Sequence, residues 1–347
     1  MTKSDHLFQY PGEFELEAGG KLPGFQLKYT VLGQLNEQRN NVVWICHALT
    51  GSSDVTSWWN DFFTAGSPFP PDRWCIVCAN LLGGCYGSTG PLSPNPATGS
   101  PYYHGFPLIT NRDVVRAFDL LRQHLRLERI HTVLGGSLGG QQALEWAIIQ
   151  PNLFENLIAV ACNAVHSPWG IAFNEAQRLA IEADSTWKQD DARAGADGMK
   201  AARAMAMISY RTYEGFRLTQ SEKSSDNLET YRASTYQRYQ GEKLTKRFNA
   251  FTYHTLTKMM DSHHVGRGRA STEWALQQIR AKTLVVAVDS DNLFPPVEQH
   301  YLAQHIPGAT LETISSDFGH DGFLVEFDRL KKVVRKFLQE QPNEVAL

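Results

Sequence analysis

The chain has 347 residues, 42% of them hydrophobic, and a formal net charge of −3. That is ample apolar material for a core, and the near-neutral balance offers no basic face of the kind nucleic acid or an anionic membrane would require. The polar N-terminal stretch MTKSDHLFQYPGEF lacks the apolar run of a signal peptide, and no later segment has that of a membrane span, so a cytoplasmic protein acting on small molecules is expected.

Five cysteines, an odd number, fit a reducing compartment better than a disulfide framework. Cys75 and Cys78 form a C-x-x-C, but RWCIVCAN reads as a strand, and residues three apart on a strand point to opposite faces. Buried free thiols are the expectation. The twelve histidines contain no H-E-x-x-H, and His263 and His264 lack ligand partners at metal-site spacing, so no metal is expected.

In chain order, the first 40 residues alternate apolar and polar around Phe14, Leu16, Leu27, Tyr29 and Val31, the pattern of an antiparallel edge hairpin. Asn41–Cys46 is a continuous apolar run, a strand covered on both faces, and ends in the loop HALTG. A second such strand, Trp74–Ala79, leads into a glycine-rich loop without the Gly-Lys-Ser/Thr of a phosphate cradle. After an irregular stretch at 92–109, Thr110 or Asn111 caps a helix carrying Val114, Val115, Phe118, Leu121, Leu125 and Leu127. Strand, helix and strand follow, the last near Leu157–Cys162. From Ser167 to about Trp274 the chain is helix-forming without β-like runs. Strands return at Lys282–Val288 and Thr310–Ile314, before a closing helix from Phe323 to about Leu338. This order predicts an α/β fold with a mostly parallel, doubly wound sheet. The catalytic body would be residues 1–166 and 275–347, with 167–274 as an inserted helical cap.

Residues 131–150 hold the chemistry. Gly135, Ser137 and Gly139 form the G-x-S-x-G of a nucleophile elbow, preceded by Val133 and Leu134 and followed by a helical stripe of Leu138, Leu144, Ala147 and Ile148. A serine hydroxyl needs a base within reach and a third group to orient it. In the α/β-hydrolase arrangement the chain order is Ser, then Asp or Glu, then His. Ser137, then Asp289 or Asp291 after a strand, then His320 in the last loop meet that order, whereas His300 and His305 sit in a helix-like stretch. The backbone N–H groups of Leu138 and Leu49 are the candidates for an oxyanion hole.

At GGSLGGQQALEWA the sequence resembles the homoserine O-acyltransferase family of the α/β-hydrolase superfamily. CHALTGSSD, CANLLGGCYGSTGP, DSDNLFPP and FGHDGFLVE look like further blocks of that family in the right order, so the likeness spans nearly the whole chain. The resemblance implies Asp291 as the triad acid and ping-pong chemistry: an acyl-CoA, acetyl-CoA more readily than succinyl-CoA, acylates Ser137, and the hydroxyl of L-homoserine takes the acetyl or succinyl group, a step toward methionine. It implies no resident cofactor, a substrate site at Arg203, Tyr210 and Asp321, and a homodimer through the cap. Arg203 and Tyr210, seven apart in a helical stretch, would share a face; Arg211 is the rival cation. Bulky SWWNDFF falls near the expected entrance and is a candidate influence on acyl choice. Lys243, Lys246, Arg247, Lys258, Arg267 and Arg269 are expected to be an ordinary solvated face. The competing functions are a serine esterase of the same fold and a non-catalytic binding scaffold.

Overall fold

The computed structural model describes residues 2–226 and 228–339. Its strands are, in chain order, β1 (Lys3–Tyr10), β2 (Phe14–Glu15), β3 (Lys21–Leu22), β4 (Phe25–Leu32), β5 (Val42–Cys46), β6 (Cys75–Ala79), β7 (Ile130–Gly136), β8 (Phe154–Val160), β9 (Lys282–Val288) and β10 (Thr310–Ile314). Eight of them make one sheet in the order β1-β4-β6-β5-β7-β8-β9-β10. From β6 to β10 the neighbours run parallel; β1 and β4 add an antiparallel edge. The expected N-terminal hairpin is thus β1 against β4, with the β2-β3 ribbon set between them.

The continuous apolar strands arise because the sheet is covered on both sides. Trp44 and Ile45, adjacent on β5, enter separate cores: Trp44 packs with Phe118 and Trp146, Ile45 with Phe62 and Phe323 among others. Cys75 and Cys78 divide between the same two cores. Three of the four aromatic residues of SWWNDFF are core rather than entrance residues, and Trp58 is partly buried against them. Trp59, Phe62 and Phe63 are fully buried in the second core, and Trp59 Nε1 donates to the Phe323 carbonyl at 3.2 Å. Their size fills the space under the C-terminal helices, a packing role that composition could not separate from an entrance role.

The helices are α1 (Asn111–His124), α2 (Leu138–Ile149), α3 (Pro168–Glu182), α4 (Ala196–Tyr210), α5 (Tyr213–Gln220), α6 (Arg232–Thr245), α7 (Ala250–Asp261), α8 (Thr272–Leu276), α9 (Pro296–His305), α10 (Gly322–Val325) and α11 (Phe327–Gln339). Thr110 caps α1 through a reciprocal bond with Asp113. The expected closing helix is interrupted at Glu326, whose backbone (φ −88°, ψ 50°) is not helical, giving α10 and α11. The helix after the elbow is more central than a one-sided apolar stripe suggests: Leu138–Ile148 of α2 are all buried. Its polar Glu145 is satisfied by Arg112 at 2.8 Å and Arg269 at 2.6 Å.

Helices α3 to α7 lie in the chain between β8 and β9. Where the segment leaves and rejoins the body its two ends pair, His166 N–H to the His263 carbonyl and Val265 N–H to the Ala164 carbonyl, each at 2.9 Å. Within it, α4 packs on α3, α6 and α7 and also touches the turn at 319–321. That contact brings the helical segment to the ends of the parallel strands, where ligands bind in folds of this kind. Among the described residues no helix is long and apolar enough to cross a membrane.

Candidate active site

Ser137 sits between β7 and α2 with φ 56° and ψ −126°. An L-residue held there is strained, so the surroundings must enforce it. They do so by close approach. A Cβ on Gly135 would fall 2.2 Å from the Gly139 carbonyl oxygen, and one on Gly139 would fall 2.0 Å from that of Cys46. Glycine at these two positions lets the turn close and lets α2 lie against the end of β5.

Three loops bring the remaining groups to the serine. His320 Nε2 is 2.8 Å from Ser137 Oγ, and His320 Nδ1 is 2.6 Å from Asp291 Oδ2. Asp291 Oδ1 accepts the backbone N–H groups of Leu293 and Phe294 at 2.8 and 2.9 Å, which fixes the carboxylate plane. Asp289 is engaged elsewhere, accepting the Ser316 N–H at 3.0 Å. All three side chains of the Ser137-His320-Asp291 line are buried. The imidazole stacks on Phe294 at 4.9 Å between ring centroids and meets Phe323 edge-on at 5.3 Å. These aromatic walls exclude water from a hydrogen-bonded row that can pass a proton from Oγ to Nε2.

Cys46 pairs with Gly135 across the sheet, so the loop after β5 emerges beside the elbow. Leu138 opens α2, and its N–H has no acceptor a turn back; Leu49 is buried in the neighbouring loop. His47 holds that loop. Its Nδ1 donates to the Ala48 carbonyl at 2.9 Å and its Nε2 accepts the Leu81 N–H at 3.3 Å, a pair satisfied by one neutral tautomer. Burial pushes the His47 pKa down to about 4, against the opposing Ala48 bond, so the clamp is neutral. Sequence reading gave His47 no role, though a histidine between a buried strand and a tight turn is the available signal.

The helical segment supplies Arg203 and Tyr210 from α4. The guanidinium carbon of Arg203 lies 5.4 Å from the Tyr210 ring centroid, and that ring is 5.9 Å from the His320 ring. Arg203 has no carboxylate partner among the described residues. Arg211, the rival cation, is spent: its Nε is 2.6 Å from Asp321 Oδ2. Asp321 therefore stands next to His320 in the chain with one oxygen already paired. Burial raises the Tyr210 pKa, so its hydroxyl stays protonated.

Of the six basic residues between 243 and 269 all but Arg269 are exposed, as expected of a solvated set, but three of them are engaged by partners. Arg267 pairs with Glu17 at 2.9 Å, Arg269 with Glu145, and Arg247 reaches the Thr50 carbonyl at 2.7 Å and the Tyr86 hydroxyl. His300 is exposed, and His305 packs against Tyr301 on the same helix at 4.4 Å. Among the described residues no group of three or more His, Cys, Asp or Glu side chains converges as a metal site requires.

Residues 41–327 match the family model of the alpha/beta hydrolase fold. The chain is 48% identical to the homoserine O-acetyltransferase of Cyclobacterium marinum, an alignment covering 98% of this chain and 97% of that one. In three dimensions it resembles the crystal structure of homoserine O-acetyltransferase from Bacillus anthracis, with a TM-score of 0.90, 22% identity and coverage of 98% and 99% of the two chains. It also superposes on esterase E22, with a TM-score of 0.87, 23% identity and coverage of 97% and 100%, a likeness of fold. The chain is an enzyme that belongs to the homoserine O-acetyltransferase family, built on the α/β-hydrolase fold.

Proposed function

We propose that this enzyme transfers an acetyl group from acetyl-CoA to the hydroxyl of L-homoserine, through an acyl-enzyme on Ser137, in the cytoplasmic synthesis of methionine. The observation that carries the reading is the unbroken row Ser137, His320, Asp291 with the unpaired cation of Arg203 beside it. In the first half-reaction His320 Nε2 takes the Ser137 proton as Oγ attacks the thioester carbonyl, and Asp291 stabilises the imidazolium. The N–H groups of Leu49 and Leu138 hold the oxyanion. Collapse breaks the C–S bond, and the leaving thiolate takes the proton from His320. In the second, homoserine gives its hydroxyl proton to His320 as its oxygen attacks the acyl-serine, and collapse returns the proton to Ser137.

Arg203 would form a two-pronged pair with the homoserine carboxylate. The free oxygen of Asp321, steadied by Arg211, would take the ammonium, and Tyr210 would wall the pocket. Residues 167–274 act in this reading as a cap over a body of 1–166 and 275–347, shielding the acyl-enzyme from water. Exposed Met205 and Ile208 share one face of α4, and Leu218 is exposed on α5. Such a surface suits a homodimer joined through the caps, which sedimentation of a Met205→Glu/Ile208→Glu variant as a monomer would support.

Free-thiol release from acetyl-CoA and from succinyl-CoA, each with and without homoserine, tests the reaction. Release that requires homoserine and prefers acetyl-CoA supports the proposal. Release independent of any amino acid would assign the protein as a hydrolase instead, and preference for succinyl-CoA would change the donor.

A further inference from the structure

Behind the triad, a row of polar side chains joins α9 to the nucleophile helix and takes no part in the acyl steps above. Glu298 stands in the first turn of α9, on the same connection as Asp291. Its Oε2 accepts Asn163 Nδ2 at 3.0 Å, and Asn163 Oδ1 accepts Gln141 Nε2 at 2.9 Å. Gln141 is one turn into α2, and its backbone N–H bonds the Ser137 carbonyl at 3.1 Å. Asn163 is further fixed by His263 Nε2, 3.0 Å from its carbonyl oxygen. Two side chains, Asn163 and Gln141, therefore tie Glu298 to the backbone of the nucleophile, and both are buried.

The same carboxyl is electrically close to Asp291 and His320. Burial raises the Glu298 pKa to about 7; the Asn163 bond opposes this, the Asp291 charge adds to it and His320 opposes it. The titratable groups packed against it from other elements do not change charge near neutrality. The Cys162 thiol at the end of β8 is pushed far up by burial, and His166 is pushed down to about 4 by burial. Glu273, which α8 brings toward α9, is held by the Tyr301 hydroxyl at 2.6 Å, and burial together with that partner pushes Tyr301 up to about 12. On α9 itself, His300 and His305 lie further along the helix.

We propose that Glu298 is a positioning residue of the triad, a second carboxyl held by Asn163 and Gln141 behind Asp291 that adds its charge to the His320 side when it ionises. An extra negative charge there favours the imidazolium that forms as Ser137 attacks, and it also favours imidazolium in the resting enzyme. Glu298 thus raises the base strength of His320 at neutral pH and moves the lower end of the working pH range upward.

The proposal rests on Ser137 and His320 being the reacting pair, so the probe must read that pair without depending on the substrate. A fluorophosphonate is such a probe, its second-order inactivation rate measured from pH 5 to 9. Glu298→Gln keeps an acceptor for Asn163 and removes the charge. Its acidic limb is expected to shift down by about half a pH unit, with a plateau about threefold lower. Asn163→Ala keeps the carboxyl but strips its donor, which disfavours ionisation, and is expected to shift the limb the same way. Failure of the wild type to react would refute the nucleophile assignment itself. A limb unmoved in the variants, whether or not the overall rate falls, marks mere packing and overturns the role of Glu298; if Glu298→Gln does not fold, Asn163→Ala decides.

Discussion

Asp291→Asn is the most informative single change because the surrounding bonds dictate how the amide must sit. Two backbone N–H groups, from Leu293 and Phe294, point at Oδ1 from 2.8 and 2.9 Å. An asparagine must offer them its carbonyl oxygen, since its NH2 would meet two donors. The NH2 is then forced toward His320 Nδ1, where a carboxylate oxygen stood at 2.6 Å. The imidazole answers by carrying its proton on Nε2, 2.8 Å from Ser137 Oγ. The lone pair needed to take the serine proton now lies on the wrong nitrogen, and the imidazolium loses its counter-charge. Wrong-tautomer substitutions of this kind cost about ten-thousand-fold in kcat, or about 5.5 kcal/mol of transition-state stabilisation. The fold should be little affected, because both backbone bonds survive. Stopped-flow thiol release from acetyl-CoA, with circular dichroism as the control for folding, reads the effect. A folded Asp291→Asn enzyme within tenfold of wild type would refute the reasoning.

Arg203→Ala should raise the KM for homoserine by about a hundredfold, the loss of a charged hydrogen-bonding partner worth about 3 kcal/mol, while thiol release in the first half-reaction stays near wild type; equal losses in both would contradict the carboxylate role. Glu145→Ala strips the largely buried guanidinium of Arg269 of its carboxylate and leaves Arg112 with the Glu17 carboxylate alone, and should lower unfolding free energy in urea by about 3 kcal/mol; a change under 1 kcal/mol would show that the pair is not needed. Acid should destabilise the fold through buried neutral histidines. Burial pushes His47 and His166 down to about 4 and His263 to about 3, so the unfolded chain binds protons first as pH falls below about 6.5. Stability should be intact above that pH and fall by about 1.4 kcal/mol per pH unit for each histidine toward pH 4; a flat urea midpoint between pH 6.5 and 5 would exclude this.

Much of the sheet was legible because burial on both faces leaves a simple mark. VVWIC and KTLVVAV lie within bounds that the apolar runs and flanking turn residues already implied. The row of Ser137, Asp291 and His320 could be ordered along the chain, but the residue pattern alone leaves Asp289 and Asp291 open, since both follow the same strand; the family resemblance points to Asp291, the one 2.6 Å from His320. Less visible were interactions made across the chain. Trp59, Phe62 and Phe63 of SWWNDFF, expected near the entrance, are core, because nothing in the composition tells which side of the sheet they meet. Arg211 and Asp321 are 110 positions apart and pair directly, a bond with no local signature. The row from Glu298 through Asn163 to Gln141 joins three separate connections, so single polar residues in apolar surroundings were its only trace.

The most direct measurement of the central claim is mass spectrometry of the protein mixed with acetyl-CoA and quenched in acid, followed by peptide mapping. The account predicts one acetyl group on the peptide containing Ser137, formed without homoserine and discharged when homoserine is added. An acetyl group on another residue, or one on Ser137 that homoserine does not remove, would contradict it.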